Sequence, residues 1–477
     1  MVHLGKHAIV IGASMGGLLA GRALADYYDE VTLVDRDALP LAREPRKGVP
    51  QGRHTHGLLA RGREVLEELF PGFTAEMVAE GAVSGDVAND ILWFNHGFYL
   101  SNVHSELSGL AISRPMLECG VRRRLLQLPN VRICQCCKVL GPICDRDRNR
   151  VTGVQVTARN GSDEVETISS DLVVDASGRG SRSPSWLEAL GYAKPREEQI
   201  KVNIGYKTRL YRRRPEDLHG KIGALIAACR PHWRSGVILA QEGERWTVSL
   251  AGYFDDEVPA DEIGFIEFAR SLPKPEIFDV IKDAEPLGPI LPYQFSTNQR
   301  RYYEELSCFP EGFVVCGDAL CSFNPVYGQG MTVACMEALK LGECLTKGSD
   351  GIGRRFFCAA GRLIDNPWQI AVGSDLQHER VEGKRAAQVR FVNWYIARFF
   401  QSANRDPVLA TKFLEVANLR KAPSTMLSPA VALRVLYGAL VTVSSQLHPT
   451  TQKGGSAAMP AEMQMEMPES RSAPAMK

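Results

Sequence analysis

The sequence predicts an α/β fold, in which a parallel sheet covered by helices is interrupted by an antiparallel sheet and followed by a helical C-terminal region. A short apolar strand from His7 to Ile11 leads through a glycine-rich turn into a helical pattern, and Val31 to Val34 forms the next strand. Residues Lys201 to Lys207 alternate with period two, which indicates antiparallel pairing. Phe313 to Val315 then returns as a buried strand. The β–turn–α–β opening is typical of a Rossmann-like domain.

The remaining elements follow from local patterns. Pro115 to Leu128 has helical composition with proline in its first turn, where the missing N–H costs nothing. Leu172 to Val174 is a short buried strand, while Ser235 to Ala240 and Trp246 to Tyr253 are further strands of the antiparallel sheet. Gly330 to Leu345 has helical composition.

A chain of 477 residues exceeds one ordinary core, and these elements divide it into five segments. The Rossmann-like domain is expected at 1–190 and again at 301–350, with the antiparallel sheet at 191–300 between them. A helical region is expected at 351–447. Residues 448–477 are rich in Met, Ser, Pro, Ala and Gly and are expected to be disordered.

Composition excludes some partners. Hydrophobic residues make up 44% and charged residues 23%, as in ordinary soluble proteins, and 56 basic against 55 acidic residues give no argument for nucleic acid. No uninterrupted apolar run reaches 18 residues, so we expect no membrane span and a cytoplasmic protein. Val431 to Val443 is an apolar stretch that fits either a packing helix or membrane contact, and we favour the packing helix.

The twelve cysteines are scattered through the chain, mostly in apolar runs. We interpret them as reduced, buried small hydrophobes of a cytoplasmic protein. The clustered cysteines of the segment Cys134-Gln135-Cys136-Cys137 could be metal ligands, but no histidine or second cysteine pair follows at ligand spacing. We therefore predict no metal site.

The first motif is the segment Gly12-Ala13-Ser14-Met15-Gly16-Gly17, between a strand and a helix. Gly12 permits the tight turn, Ser14 is small enough for a close pyrophosphate, and Gly17 lets the helix pack on the strand. Asp35 ends the second strand, where a carboxylate accepts hydrogen bonds from ribose hydroxyls, and the adjoining Arg36 is a further candidate contact. The motif predicts a dinucleotide, either NAD or FAD.

The second motif distinguishes FAD from NAD. Gly317-Asp318 is followed by a segment containing Pro325, Gly328 and Gly330. Because FAD is long, its ribityl chain and ring need a second anchor, and Asp318 can accept from ribityl hydroxyls. The Pro and Gly residues let backbone approach the ring, and the helix that follows presents its positive N-terminus. The paired motifs predict FAD.

With these motifs the chain resembles the class A flavoprotein monooxygenases, the aromatic-hydroxylase-like family, and within it the bacterial polyether epoxidases. The epoxidase likeness rests on RKGVPQGRHTH from Arg46 to His56 and on SFNPVYGQG from Ser322 to Gly330. The resemblance implies an FAD-binding domain of the glutathione-reductase type, a β-sheet substrate domain, and a flavin C4a-hydroperoxide as oxygen donor. It also implies cofactor contacts for Arg114, and Arg53 and His54 of the first segment join the candidates.

The chain departs from the family at one place. Where the family has an Asp-Gly pair linked to FAD and NAD(P)H, this sequence has Ser177-Gly178, and Asp175 lies two positions earlier. Electrons are therefore expected either from NADPH directly or from a separate flavin reductase.

These observations predict a monooxygenase that inserts one atom of O2 into an apolar small molecule, with epoxidation of a polyketide or terpenoid alkene as the favoured reaction. The cofactor carries the chemistry, so no catalytic side chain is assigned. Aromatic hydroxylation is the main alternative, followed by a prenyl-chain reductase and a non-enzymatic prenyl-protein carrier, against which Asp35 and Asp318 argue. A flavin halogenase would need a Trp-x-Trp-x-Ile-Pro segment, which none of the six tryptophans forms.

Overall fold

A computed structural model describes residues 3–158, 164–230, 233–385 and 387–447. The strands are β1 (Gly5–Ile11), β2 (Tyr28–Val34), β3 (Gly57–Leu58), β4 (Val83–Asp86), β5 (Ile91–Asn95), β6 (Phe98–Tyr99), β7 (Ser108–Ala111), β8 (Val131–Cys134), β9 (Cys137–Cys144), β10 (Val151–Ala158), β11 (Val165–Ser169), β12 (Leu172–Asp175), β13 (Arg196–Arg212), β14 (Gly223–Ile226), β15 (Ser235–Gln241), β16 (Arg245–Tyr253), β17 (Leu291–Tyr302), β18 (Phe313–Val315) and β19 (Cys321–Ser322). The α-helices are α1 (Met15–Leu24), α2 (Ala60–Leu69), α3 (Phe73–Ala79), α4 (Arg114–Leu125), α5 (Ser183–Leu190), α6 (Glu262–Arg270), α7 (Glu276–Ile281), α8 (Gly330–Leu345), α9 (Ile352–Asp375), α10 (Ala387–Ala403), α11 (Pro407–Ala417) and α12 (Pro429–Leu447).

A five-stranded parallel sheet forms the Rossmann-like core, in the order β18-β12-β1-β2-β8. Its strands contain short apolar runs, as expected for a parallel sheet that is buried on both faces. Helices α1 and α9 contact its strands, and so does a separate three-stranded sheet, β11-β10-β9. Helix α1 packs against β1, β2 and helix α8. Strand β18 pairs with β12 although about 140 residues separate them, so the segment at Gly317 returns beside the glycine turn.

The second large sheet has eight strands in the order β19-β17-β13-β16-β15-β14-β5-β6. Strands β13 to β17 pair antiparallel, as the period-two pattern predicted, and β14 pairs parallel with β5. Strands β5, β6 and β19 thus join this sheet from outside 191–300. The segment boundaries stated above remain a proposal.

The prediction that the cysteines are buried is wrong for seven of the twelve residues, although all twelve are free. Five are buried, namely Cys229, Cys316, Cys321, Cys335 and Cys344; five are half-buried, namely Cys119, Cys134, Cys136, Cys137 and Cys144; and Cys308 and Cys358 are exposed. The partial exposure of the 134–137 segment follows from its position, because β8 is the edge strand of the parallel sheet. Here the Cys134 and Cys137 sulfurs lie 2.8 Å apart. Among the described residues, no group of three or more His, Cys, Asp or Glu side chains could hold a metal ion.

The C-terminal apolar stretch forms α12, and its described side chains, up to Leu440, pack with one face only. Val431 and Val435 are buried, and the Ser402 hydroxyl donates to the Val435 carbonyl at 3.0 Å. Leu433, Leu436 and Tyr437, on the other side of the helix, are exposed. Of the described helices, none is long and apolar enough to cross a membrane. The compact unit that contains these contacts ends at Ala439, and the predicted disordered tail, 448–477, lies outside the described residues.

Candidate functional site

The glycine turn between β1 and α1 fits an anion. Gly12 has φ +100°, and a Cβ on Gly17 would lie 1.8 Å from the Gly12 carbonyl oxygen, so both positions require glycine. Ser14 is the N-cap of α1, but its side chain makes no capping hydrogen bond. The first amide groups of α1 therefore have no side-chain acceptor, and they can bind the pyrophosphate of a dinucleotide.

Asp35 directly follows β2 and turns toward this glycine turn. Its carboxylate is buried and accepts hydrogen bonds from the Ala13 N–H at 2.7 Å and the Asp37 N–H at 2.9 Å. These two bonds hold the carboxylate beside the turn and leave acceptor capacity for a ligand hydroxyl. The adjoining Arg36 is exposed.

Glu118 on α4 connects the predicted cofactor residues, and the sequence reasoning missed it. Its Oε2 accepts from the Ser14 hydroxyl at 3.0 Å and from Arg114 Nε at 3.2 Å, and Arg114 also donates to Ser14 Oγ at 2.7 Å. Its Oε1 accepts from Arg46 Nε at 2.9 Å. These cations lower the pKa of the buried Glu118 carboxyl against the opposing effect of desolvation. The i,i+4 spacing of Arg114 and Glu118 was the available signal.

Arg46, the first residue of the segment Arg46–His56 (the basic loop), completes the cluster. Its Nη1 lies 2.9 Å from Asp37 Oδ2 and 3.4 Å from Asp35 Oδ1. One buried arginine thus neutralises carboxylates at the end of β2 while its Nε binds Glu118 on α4. The basic loop identified in the sequence is tied to the glycine turn through these contacts.

The second motif, which begins at Gly317, lies against the Gly12–Gly17 turn. Gly317, with φ +65°, lies against Gly16, since a Cβ on either glycine would be 3.9 Å from the Cα of the other. Asp318 follows and is exposed to solvent, yet desolvation by the surrounding protein raises the pKa of its carboxyl, opposed by the cations Arg114 and Arg179. The Asp318 side chain is therefore accessible to solvent although protein groups surround it.

The segment after Asp318 supplies a second uncapped helix. Pro325 begins a single 3-10 turn that ends at Gly328, with φ +64°, and Gly330 opens α8. The N-cap of α8, Gln329, makes no capping hydrogen bond, and its buried Oε1 has no partner. A Cβ on Gly328 or Gly330 would meet no other atom within 4 Å, so the backbone here borders open space.

His54 lies against the antiparallel sheet. It is buried, its Nδ1 lies 2.8 Å from Thr208 Oγ1, and its ring contacts Tyr206 and Tyr293 at centroid distances of 5.0 and 5.2 Å. Burial, with the charge of Arg53, lowers the pKa of His54 to about 4. Arg53 itself is exposed.

Asp175, which precedes the family's Asp-Gly position, is fully buried and satisfied within its own loop. It accepts from the Ser177 N–H at 2.9 Å, from the Ser181 hydroxyl at 2.6 Å, and from the Ser183 hydroxyl. The Ser177 side chain is exposed.

The structure therefore brings Gly12, Ser14, Gly17, Asp35, Arg114, Gly317 and Asp318 together at one cleft, with Pro325, Gly328 and Gly330 on the segment that follows. His54 lies against the antiparallel sheet, and Arg36 and Arg53 lie at the surface. The N-termini of α1 and α8, both without side-chain caps, fit a long dianionic cofactor such as FAD.

Comparisons with known proteins identify similar chains and similar folds. No family model matches the sequence. Protein Rv3254 from Mycobacterium tuberculosis (strain ATCC 25618 / H37Rv) is 34% identical over 422 residues, which cover 86% of this chain and 88% of that protein. Kynurenine 3-monooxygenase from Salinispora arenicola (strain CNS-205) is 28% identical over 378 residues, or 72% of this chain and 73% of the relative.

Solved structures share the fold. The flavin-dependent brominase Bmp2 superposes with a TM-score of 0.63 at 14% identity, covering 93% of this chain and 100% of that one. The p-nitrophenol 4-monooxygenase PnpA from Pseudomonas putida DLL-E4 superposes with a TM-score of 0.61 at 15% identity, covering 88% and 100%. Fold and site together define an FAD-dependent oxidoreductase. The chain belongs to one family with protein Rv3254, and the resemblance to class A flavoprotein monooxygenases that its motifs indicated is confirmed.

Proposed function

We propose that FAD lies along the cleft from the Gly12–Gly17 turn to the Pro325–Gly330 segment. The pyrophosphate binds the first amides of α1, Asp35 accepts from the adenosine ribose, and Asp318 accepts from the ribityl chain. Arg114, held by Ser14 and Glu118, contributes positive charge beside the phosphates. Arg36, Arg53 and His54 remain predicted contacts.

We further propose that the enzyme epoxidises an alkene of an apolar polyketide or terpenoid intermediate, which extends the likeness to polyether epoxidases. The observation that supports it is a group of neutral rings on the substrate side of Asp318. Burial raises the pKa of Tyr206, and burial with the Asp318 charge raises that of Tyr293. His54, with a pKa of about 4, is a weak base and already binds Thr208.

This ring cluster, formed by His54, Tyr206 and Tyr293, suits a reaction that needs no deprotonation of the substrate. Alkene epoxidation is such a reaction, whereas phenol hydroxylation gains from a base near the hydroxyl. Bound FAD, once reduced, supplies the activation of O2 and the transfer of one oxygen atom. The chain orients the substrate on the antiparallel sheet and excludes water from the cleft.

One observation favours hydroxylation of an aromatic ring as a second candidate. Tyr206 and Tyr293 lie with ring centroids 5.1 Å apart, and their hydroxyls could hydrogen-bond a phenol. The names of two similar proteins, kynurenine 3-monooxygenase and p-nitrophenol 4-monooxygenase, point to aromatic substrates. In this case Tyr293→Phe should lower hydroxylation by about 10²-fold or more, the usual range for a lost acid–base contact.

We propose that a separate flavin reductase supplies the electrons. The three hydrogen bonds to Asp175 come from its own loop, and Ser177 offers no carboxylate in the family position. Anaerobic mixing of the FAD-loaded protein with NADPH should leave the flavin absorbance unbleached until a reductase is added. Rapid bleaching by NADPH alone would assign direct reduction instead.

The experiment that tests the reaction supplies reduced FAD through a reductase and offers polyenes and phenols under ¹⁸O2. One labelled oxygen in an epoxide supports the proposal. Exclusive ring hydroxylation would select the second candidate, and a product without labelled oxygen would overturn both.

A further inference from the structure

The last residue of α9, Asp375, is a buried carboxylate that the site described above does not use. Its side chain is 1% exposed. Oδ1 accepts from the Tyr327 hydroxyl at 2.8 Å and from Asn324 Nδ2 at 2.9 Å. Oδ2 accepts from Asn298 Nδ2 at 2.7 Å, and the Tyr253 hydroxyl lies 3.5 Å from Oδ1.

These four donors come from two parts of the molecule. Asn324 and Tyr327 belong to the segment that leads to Gly330, whereas Tyr253 ends β16 and Asn298 lies in β17 of the antiparallel sheet. Asp375 itself belongs to the helical region. One carboxylate therefore joins three parts of the molecule. They are the segment Asn324–Gly330, which is proposed to lie at the flavin ring, the eight-stranded sheet, which is proposed to bind the substrate and is called the substrate sheet below, and α9.

A second layer of hydrogen bonds makes the junction rigid. Asn298 Oδ1 accepts from the Asn324 N–H at 2.6 Å, and Asn324 Oδ1 accepts from the Val326 N–H at 3.2 Å. Both asparagines are fully buried. Each side chain is thus oriented by at least two partners, and loss of the carboxylate would leave buried donors unsatisfied.

No cation neutralises Asp375 among the described ion pairs. Desolvation raises the pKa of its carboxyl to about 6, against the opposing effect of the four donors. His378, three residues further on, stacks on Tyr253 at 5.3 Å rather than binding the carboxylate. A buried charge held only by hydrogen bonds to the segment and the sheet costs free energy and fits a positioning role.

We propose that Asp375 is a positioning residue that fixes the segment Asn324–Gly330 against the substrate sheet. It would thereby fix the position of the flavin relative to the substrate. The inference rests on the proposed FAD site. It assigns to α9 a part in the reaction although α9 contributes no residue to either of the two cofactor motifs.

The test compares Asp375→Asn with Asp365→Asn, a control on the same helix. The half-exposed Asp365 carboxylate binds Arg300 of β17 at 2.7 Å, and no described hydrogen bond joins it to the segment. FAD affinity is measured by titration, and the environment of the ring by visible circular dichroism of bound FAD. Asp375→Asn is expected to weaken FAD binding at least tenfold and to change the visible spectrum, whereas Asp365→Asn leaves both unchanged.

Tyr327→Phe and Tyr253→Phe keep the rings and remove one donor each, so they carry the test if Asp375→Asn does not fold. Adding Tyr327→Phe to Asp375→Asn should produce little further loss, because both remove the same contact. Wild-type affinity and spectrum in Asp375→Asn, or equal changes in Asp365→Asn, would overturn the inference. A wild-type protein that takes up no FAD would instead overturn the proposed cofactor site.

Discussion

At the scale of single residues, the cofactor cleft is organised by carboxylates that already have protein partners. Asp35 accepts from Ala13 and Asp37, and Glu118 accepts from Ser14, Arg114 and Arg46. Each therefore orients backbone or cations toward the ligand as well as offering its own oxygens. Substituting such a residue is therefore expected to change both the stability of the fold and the affinity for the ligand. Each variant needs a separate measurement of the two.

Asp35→Asn is expected to weaken FAD binding by about 1.5–3 kcal/mol, or ten- to a hundredfold, because a charged acceptor for ribose hydroxyls is lost. The amide keeps the volume and one acceptor for Ala13. Fluorescence titration with FAD checks the affinity, and thermal unfolding of the FAD-free protein checks the fold. Asp29→Asn, an exposed position on the same strand, is the control. Unchanged affinity in Asp35→Asn would show that this carboxylate does not contact the ribose.

Glu337 on α8 gives a pH-dependent prediction. It is buried, accepts from the Gly317 N–H, and has one oxygen without a partner; burial, with the nearby Asp318 charge, raises its pKa to about 8. Between its unfolded value near 4.5 and about 8, the folded state keeps a proton that the unfolded state releases. The contribution of Glu337 to stability therefore falls as pH rises through this window.

Glu337→Gln removes this titration while keeping an acceptor for Gly317. Relative to wild type, the variant should gain at least about 1 kcal/mol in unfolding free energy at pH 8 compared with pH 5, since one pKa unit is worth about 1.4 kcal/mol. Urea unfolding of the FAD-free protein at both pH values measures it. In the control Glu343→Gln, an exposed position on the same helix, the unfolding free energy should change between pH 5 and pH 8 by the same amount as in wild type. If the unfolding free energy of Glu337→Gln also changed with pH as in wild type, the raised pKa of Glu337 would be contradicted.

At the scale of elements, the β1–α1 unit depends on one close approach. A Cβ on Gly17 would overlap the Gly12 carbonyl oxygen, whereas a Cβ on Gly16 would meet its nearest neighbour, Gly317 Cα, at 3.9 Å. Gly17→Ala is therefore expected to destabilise the FAD-free protein by about 3 kcal/mol or more, since backbone must shift. Gly16→Ala should stay within about 1 kcal/mol of wild type. Comparison of the two by urea unfolding decides this, and equal stabilities would show that α1 can move away from β1.

Helix α12 shows where an element-scale prediction was only partly correct. The apolar stretch Val431 to Val443 does form a packing helix, with Val431 and Val435 buried. Its opposite side, which includes Leu433, Leu436 and Tyr437, is exposed. Composition alone does not separate a helix buried on one side from one buried all round, because both are apolar throughout.

At the scale of the whole molecule, the proposed FAD site joins segments that are far apart in the chain, from the Gly12 turn to Gly330. A ligand that contacts both ends stabilises the folded state by mass action, by about 2.7 kcal/mol at a hundred times its Kd. The protein should therefore purify yellow with non-covalent FAD. FAD should raise the melting temperature, whereas FMN, which lacks the adenosine half that the α1 turn and Asp35 would bind, should not. Equal stabilisation by FMN would remove the α1 turn from the site.

The turn glycines, Asp35, Asp318 and the β1–α1–β2 order could be predicted from the sequence, because each is defined by spacing within one turn or one strand pair. The cofactor and the family followed from these local patterns. Which residues surround the cofactor could not be predicted in this way. Glu118 reaches Arg46 across 72 positions, and Asp375 reaches Asn298 across 77, and hydrogen bonds over such separations leave no periodicity in the sequence. Folding alone brings these groups together, because the buried donors and acceptors of distant segments must satisfy one another in the interior.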